Sequence, residues 1–270
     1  MSAVKKSFWG QKTYCLITGA SKGIGRKFAI EFSGKFASKS LVVLMARSET
    51  GLLETKNQIA SVNPDIDVII CPVDLSKPNS EEYYNMIQNS LKKIGCTAAD
   101  FDLGLLVHNA GSVGDVSEVT SEMSDPKKWQ EYYSLNLFSV VCLNSQFLKI
   151  FPEGSAKQRT IINITSLCAI TPFKSMGYYC SGKAAREMFF KTLAEENPAL
   201  NVLNYAPGPI DTDMVSEVIS RTSDIDVKKM FVEYKETKKL LTVDDTTKRI
   251  IEILEKGNFQ SGQHVDYYDE

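Results

Sequence analysis

Thr18-Gly19-Ala20-Ser21-Lys22-Gly23-Ile24-Gly25 directly follows the apolar run Thr13–Thr18 and opens a helix-like pattern over 24–37. Glycines at these places let the chain turn tightly. They also let an anion approach the free N–H groups at a helix start. The spacing is G-x-x-x-G-x-G, not the commoner G-x-G-x-x-G. A glycine-rich turn alone is weak; a strand before it and a helix after it make it a candidate pyrophosphate cradle.

The same alternation continues along the chain. Short apolar runs recur at Leu41–Ala46, Val68–Val73, Leu103–His108, Thr160–Ile164, Asn201–Tyr205 and Gln263–Tyr267. Helical patterns lie between them near 49–61, 79–94, 126–150, 178–196, 212–221 and 243–256. The runs are mostly continuous, as expected of strands covered on both faces. Strand–helix alternation with right-handed crossovers predicts an α/β fold, a doubly wound parallel sheet with helices on both faces. No repeat, linker or boundary divides residues 1–270, so one domain is expected. The charged, helix-prone stretch 209–242 follows a strand's carboxyl end, where such sheets bind ligands, and reads as a substrate lid.

Charge is nearly balanced, with 33 acidic and 31 basic residues, and the basic ones come as scattered pairs. That argues against nucleic acid or an anionic membrane as partner. The start of the chain lacks an apolar h-region, and no stretch approaches the ~20 apolar residues of a membrane span. A cytoplasmic protein is expected. The six cysteines lack C-x-x-C spacing, so reduced, mostly buried thiols are expected in place of disulfides or a zinc site. His108 and His264 are the only histidines and show no metal-ligand pattern; no metal is expected.

The end of the second run bears on cofactor choice. An Asp or Glu about 20 residues past the glycines would bond the ribose 2′-OH of NAD. Arg47 stands there instead, 22 residues after Gly25, followed by Ser48. A guanidinium pairs with a 2′-phosphate, and Lys22 offers a second positive charge, so NADP(H) is favoured over NAD. Taken alone, Arg47 reads equally well as a solvated strand-end residue. Asp74 ends the third run and either reaches the adenine amino group or caps the next helix.

Tyr179-Cys180-Ser181-Gly182-Lys183 puts a phenol and an ammonium at i and i+4 on one helix face. The ammonium is expected to favour the phenolate and lower the tyrosine pKa from near ~10. Thirteen residues upstream, Ser166 follows the run Thr160–Ile164, where a hydroxyl could bond a carbonyl oxygen or simply cap a turn.

Gly19-x-x-x-Gly23-x-Gly25, Asn109-Ala110-Gly111, Asn136, Ser166, Tyr179-x-x-x-Lys183 and Pro207-Gly208 occur in the order and spacing of the short-chain dehydrogenase/reductase family, which the chain resembles over nearly its whole length. The resemblance implies a seven-stranded Rossmann sheet and a Ser–Tyr–Lys–Asn site. Ser166 would orient a carbonyl, Tyr179 would donate a proton, and Lys183 would hold the nicotinamide ribose and tune Tyr179. Asn136 would steady a relaying water. The cofactor would also meet Gly19, Ser21, Lys22, Gly23, Ile24 and Gly25. Arg47, Ser48, Asp74, Leu75, Pro209, Ile210, Thr212 and Met214 would also bind it, and Asn109 would line its pocket and brace the sheet.

Further stretches, Asn163–Ala169, Asn204–Met214, Gly111–Ser117 and Ser261–Asp269, are similar to the pterin-carbonyl reductases of that family, with Thr165 and Ile170 as conservative departures. This implies NADPH-dependent reduction of a pterin side-chain carbonyl in tetrahydrobiopterin synthesis. Ser166, Leu167, Tyr179 and Gly208 would line the substrate, and Asp266 would anchor the pterin. A carboxylate can accept two parallel hydrogen bonds from the guanidine-like pterin edge; Asp266 reads otherwise as part of a solvated acidic tail with Asp269 and Glu270. Two other functions fit the tetrad: a reductase of diketones or quinones, and an NADP(H)-binding sensor without turnover. Apolar residues beyond one stripe (Phe138, Val140, Val141, Phe147, Met188, Phe189, Phe190) together with the family's habit suggest a homodimer.

Overall fold

The computed structural model describes residues 7–269. Seven parallel strands, β1 (Thr13–Thr18), β2 (Leu41–Ala46), β3 (Asp67–Pro72), β4 (Leu103–His108), β5 (Gln158–Ile164), β6 (Asn201–Ala206) and β7 (His264–Asp266), form one sheet in the order 3-2-1-4-5-6-7. The helices are α1 (Gly23–Ser33), α2 (Glu49–Val62), α3 (Ser80–Lys93), α4 (Pro126–Tyr133), α5 (Ser139–Ile150), α6 (Gly177–Glu196), α7 (Asp213–Arg221), α8 (Ile225–Glu236) and α9 (Val243–Lys256). This is the doubly wound seven-stranded sheet expected from the alternation.

Period-two alternation sends successive β1 side chains to opposite cores. Cys15 and Ile17 join Val42, Leu44 and the α1, α2 and α9 residues Phe28, Phe32, Leu52, Ile59, Ile250 and Leu254. Tyr14 and Leu16 join Val43, Met45 and the α3, α5 and α6 residues Tyr83, Ile87, Phe147 and Phe190. Phe28 and Phe32, one turn apart, stack at 5.2 Å between centroids. Each such buried side chain stabilises the fold by about 1.5–3 kcal/mol.

Some sequence expectations shift. β3 lies at the sheet edge and is only half-buried, not covered on both faces. The first helix ends at Ser33, not 37, and β5 starts two residues early, at Gln158. Of the six free thiols only Cys15 is fully buried. Phe147, Phe190 and Val140 serve the core of their own chain, while Phe138 and Met188 remain exposed. No helix among the described residues is long and apolar enough to cross a membrane.

Strand order reverses between β1 and β4, so the loops leaving these strands diverge and open a crevice at their carboxyl edge. All seven strands being parallel, Thr18, His108, Ile164, Ala206 and Asp266 end on that one edge.

Candidate active site

The glycine loop is built for close backbone approach. Gly19 and Gly23 sit at φ +68° and +56°, in left-handed conformations that suit glycine. A Cβ on Gly25 would lie 2.4 Å from the Gly19 carbonyl oxygen, so no larger residue fits. Asn109 clamps the loop from β4: its Nδ2 donates to the Thr18 carbonyl at 2.9 Å. Thr18 answers across the crevice, its Oγ1 accepting the N–H groups of Asn109 and Ala110, both at 3.0 Å. Lys22, the α1 N-cap residue, makes no side-chain cap, and the first turn holds no acid. The N–H groups at this helix start are therefore available to an anion. This chemistry fits a dinucleotide pyrophosphate.

The neighbouring polar residues have mixed roles. Arg47 is exposed at the end of β2. Ser48 caps α2, accepting the Gly51 N–H at 3.1 Å. Asp74 does not cap α3, which Asn79 does. Its carboxylate instead accepts the Ser76 hydroxyl at 2.8 Å and the Ser76 N–H at 3.1 Å. These bonds, with smaller help from the Arg47 charge, hold it below the usual carboxylate range. The Lys22 ammonium pairs with Asp213 of α7, so in this state its charge is already answered from the 209–242 segment. Leu75 is buried.

Ser166, Tyr179, Lys183 and Asn136 converge at the carboxyl edge. Ser166 lies two residues past the end of β5 and accepts the Cys168 N–H at 3.2 Å, fixing the turn Leu167–Ala169. Its hydroxyl is close enough to the Tyr179 phenol to favour the phenolate slightly. Lys183 is buried; its Nζ donates to the Ile164 carbonyl at 2.6 Å and lies 5.5 Å from the Tyr179 ring centroid. Asn136 does not sit in a plain α-helix. It occupies a π-turn, Ser134–Phe138, between α4 and α5. Such an inserted residue re-aims a side chain. Asn136 Oδ1 accepts the Ser112 N–H at 2.9 Å, and Nδ2 donates to Ser112 Oγ at 3.2 Å and to the Tyr132 carbonyl at 2.9 Å.

The electrostatics differ from the sequence expectation. Burial pushes the Tyr179 phenol above its ordinary value; the Ser166 hydroxyl and the Arg186 charge oppose this without overcoming it. Lys183 is itself lowered well below the ordinary lysine value, by burial first and then by Arg186, so its ammonium does not govern Tyr179.

Two features escaped the sequence reading. Arg186, fully buried, follows Lys183 by three residues on α6 and donates to the carbonyls of His108 (2.9 Å) and Ala110 (3.1 Å) and to Asn163 Oδ1 (2.7 and 3.1 Å). Its only sequence signal was its helix-face relation to Lys183. Glu187, also buried, ties α6 to β5 and β7. Its carboxylate contacts Thr165 Oγ1, His264 Nδ1 (both 2.8 Å) and Lys191 Nζ (2.7 Å). Burial raises this carboxyl, but the three partners outweigh it and bring it down to about 2.

Asp266 belongs to β7 and is not in a loose acidic tail. It is level with Ala206 of β6, and its Oδ1 accepts the Tyr268 N–H at 3.0 Å. Gly208, at φ +77°, packs so closely on Leu241 that an added Cβ would come within 2.6 Å of Cδ1. Ile210 bridges to Leu241 and is buried, and Thr212 precedes α7. Met214 and Phe231 join Val113, Val116, Met176 and Tyr179 in one apolar cluster, so α7 and α8 roof the tyrosine. Arg221–Asp115 (3.5 Å), Lys174–Asp226 (3.0 Å) and Ser175–Thr222 (2.6 Å) fasten this roof.

With sheet, glycine loop and Ser–Tyr–Lys–Asn cluster in place, the chain belongs to the short chain dehydrogenase family, which matches residues 13–223. It is an oxidoreductase acting on carbonyl or hydroxyl groups. Among curated proteins it is similar to the sepiapterin reductases of Bos taurus and Xenopus tropicalis, at 35% and 36% identity. These alignments cover 96% and 94% of this chain and 96% of each relative. The benzil reductase ((S)-benzoin forming) of Bacillus subtilis is 31% identical over 93% of this chain and 96% of its own. Among solved structures, the KRED1-Pglu enzyme superposes with a TM-score of 0.77 at 25% identity, covering 94% of this chain and all of the other. A short chain dehydrogenase from Shigella flexneri, complexed with NADP, has a TM-score of 0.77 at 23% identity, covering 98% of this chain and 100% of its own.

Proposed function

We propose that this enzyme reduces a pterin side-chain carbonyl, as in sepiapterin or 6-pyruvoyl-tetrahydropterin, at the expense of NADPH, within tetrahydrobiopterin synthesis. The observation that carries the reading is Asp266. This carboxylate stands at the same sheet edge as Ser166, on a strand that ends level with β6. The likeness to a sepiapterin reductase covers 96% of the chain.

Bound NADPH supplies a hydride to the carbonyl carbon. The chain does the rest. Ser166 and Tyr179 both bond the carbonyl oxygen, and Tyr179 gives it a proton as negative charge develops there. A phenol held above its ordinary pKa is fully protonated at neutral pH, and so starts in the form a proton donor needs. Lys183 holds the nicotinamide ribose, and Asn136 steadies the water that restores the proton. Asn109 and Leu75 line the cofactor pocket, Arg47 and Lys22 meet the 2′-phosphate, and Asp74 reaches the adenine. Lys22 would leave Asp213 to do so. Pro209, Ile210, Thr212 and Met214 close over the nicotinamide half, and the 209–242 segment acts as the lid. Asp266 takes two parallel N–H donors from the pterin edge, while Leu167 and Gly208 flank the ring. The reading includes a cytoplasmic homodimer, for which exposed Phe138 and Met188 are the support.

A second reading, a reductase of small diketones, is favoured by the 31% likeness to the benzil reductase. The two separate in one assay. Wild type, Tyr179→Phe and Asp266→Ala are compared for NADPH oxidation with sepiapterin and with a small diketone. The pterin reading expects Tyr179→Phe to fail on both and Asp266→Ala to fail on sepiapterin alone. Equal losses on both substrates in Asp266→Ala would remove the anchor. Tight NADPH binding without turnover of either substrate would make the protein a sensor.

A further inference from the structure

Tyr179, Lys183, Glu187 and Lys191 follow one another at intervals of four on α6, so they share one face of the helix. The first two belong to the proposed reaction. The third is a carboxylate only 2% exposed, and nothing in that reaction calls for it. Its Oε2 meets the Thr165 hydroxyl and His264 Nδ1, both at 2.8 Å, and its Oε1 lies 2.7 Å from Lys191 Nζ. An ionised carboxylate only accepts, so the imidazole donates to it from Nδ1.

The two uncharged arms lead to different parts of the crevice. Thr165 directly precedes Ser166 and is buried, its N–H donating to the Tyr205 carbonyl at 2.9 Å. His264 opens β7, a strand of three residues at the sheet edge that pairs on one side only, with β6. Val265 packs into the core shared with α1 and α9. Its neighbours His264 and Asp266 therefore both face the α6 side of the sheet. Holding the imidazole holds the short strand from which the Asp266 carboxylate projects. β5 and β7 stand two strand spacings apart, about 10 Å, with β6 between them.

Stability alone does not ask for an ion at this place. An apolar side chain of similar volume would cover the sheet about as well, without the cost of burying charge. An acceptor-only group adds one fixed point at which donors from β7, from the residue before Ser166 and from its own helix must meet.

We propose that Glu187 is a positioning residue: through Thr165 it sets the Ser166 hydroxyl, and through His264 it sets the Asp266 carboxylate. The helix face that carries Tyr179 thereby fixes how far the reacting end of the substrate site lies from its anchoring end. Both arms rest on the roles proposed for Ser166 and Asp266.

The test is steady-state kinetics with NADPH, on sepiapterin and on a small diketone, for wild type, Thr165→Val and His264→Leu. Each variant cuts one arm and leaves the other. Thr165→Val is expected to lower kcat about tenfold on both substrates, as a small misplacement of a reacting group does, with KM for sepiapterin within about twofold. His264→Leu is expected to raise KM for sepiapterin about tenfold, with its kcat and the diketone reaction within about twofold, as loss of binding alone does. Thr165→Ser returns the hydroxyl and His264→Asn returns a donor near the Nδ1 position, and each recovers most of its loss. Where a first variant does not fold, Thr165→Ala or His264→Gln takes its place with the same expectation. A merely structural network would shift both constants on both substrates together in both variants, and in an enzyme that reduces sepiapterin that pattern overturns this inference alone. So does an unchanged kcat in Thr165→Val or an unchanged sepiapterin KM in His264→Leu. A wild type that reduces the diketone but not sepiapterin overturns the function proposed above and the Asp266 arm with it, while kcat in Thr165→Val still decides the Ser166 arm.

Discussion

The Arg186 guanidinium brackets the Asn163 side-chain oxygen, Nη2 at 2.7 Å and Nε at 3.1 Å, while its other donors hold the carbonyls of His108 and Ala110. One buried cation on α6 thus joins the carboxyl ends of β4 and β5, the two strands that lead into Asn109 and Ser166. Arg186→Met would leave these acceptors buried without their donor, a loss of about 3 kcal/mol or more. Arg186→Lys keeps a charge but not the fork, and is expected to recover only part of it. Urea unfolding of the three proteins measures this; a loss below about 1 kcal/mol in Arg186→Met would mean that the carbonyls find other donors.

How much of this arrangement was legible follows from what periodicity reports. The runs around Cys15–Ile17 and Val42–Leu44 are apolar at every position because both faces are covered, so the sheet could be read directly. Gly19, Gly25, Ser166, Tyr179 and Lys183 were legible because their chemistry requires those residue types at those places. Arg186 and Glu187 were not, since their partners lie 23 to 78 residues away along the chain for Arg186 and as far as 77 for Glu187. The π-turn at Asn136, Ser134–Phe138, was hidden for a different reason: one extra residue turns the apolar face by about 100°, and apolar residues spread beyond one stripe of 126–150 mask that shift. The Tyr179 expectation failed because it counted the nearby charge and omitted burial, which here is the larger effect.

His108 carries an acid-side consequence. It is buried against Phe190 at 5.3 Å, and its pKa is pushed down to about 3 by burial and then by Arg186, with Asn144 pulling weakly the other way. The unfolded chain takes up that proton near the ordinary value of 6.5 and the folded one does not. Stability is therefore fully present above pH 6.5 and falls as the pH drops toward 3, by up to about 1.4 kcal/mol per unit from this group. Glu187 adds its own loss only below its ordinary value of 4.5. Between pH 6.5 and 4.5, His108→Leu should flatten the slope; an unchanged slope in urea titrations across that window would assign the effect elsewhere.

Lys183, a second buried base, acts on the alkaline side in the same direction. Its pKa is lowered from 10.5 by burial and Arg186, so between the folded and unfolded values the unfolded chain binds the extra proton. The ligand-free protein should gain stability as pH rises toward 10.5, again by up to about 1.4 kcal/mol per unit. Lys183→Met loses the bond to the Ile164 carbonyl, about 1 kcal/mol, at every pH, but also loses this slope. Comparing unfolding from pH 7 to 10 separates the two: parallel curves for wild type and variant would show that the Lys183 pKa is not lowered in the folded chain.

Arg47 tests the cofactor reading without touching the reacting groups. It is exposed at the end of β2, and its charge lowers the Asp74 carboxyl only weakly, that carboxylate being already occupied by Ser76. A 2′-phosphate would give this guanidinium charge-assisted hydrogen bonds worth about 1.5–3 kcal/mol, or roughly ten- to a hundredfold in affinity. Arg47→Ala should therefore weaken NADPH by that factor and leave NADH nearly unchanged, and Arg47→Glu should reverse the preference by adding repulsion of the phosphate. Nucleotide fluorescence titrations with both cofactors decide it. If NADPH binding survives Arg47→Ala but falls in Lys22→Ala, the loop lysine, released from Asp213, is the phosphate's main partner, and the strand-end arginine is a solvated surface residue.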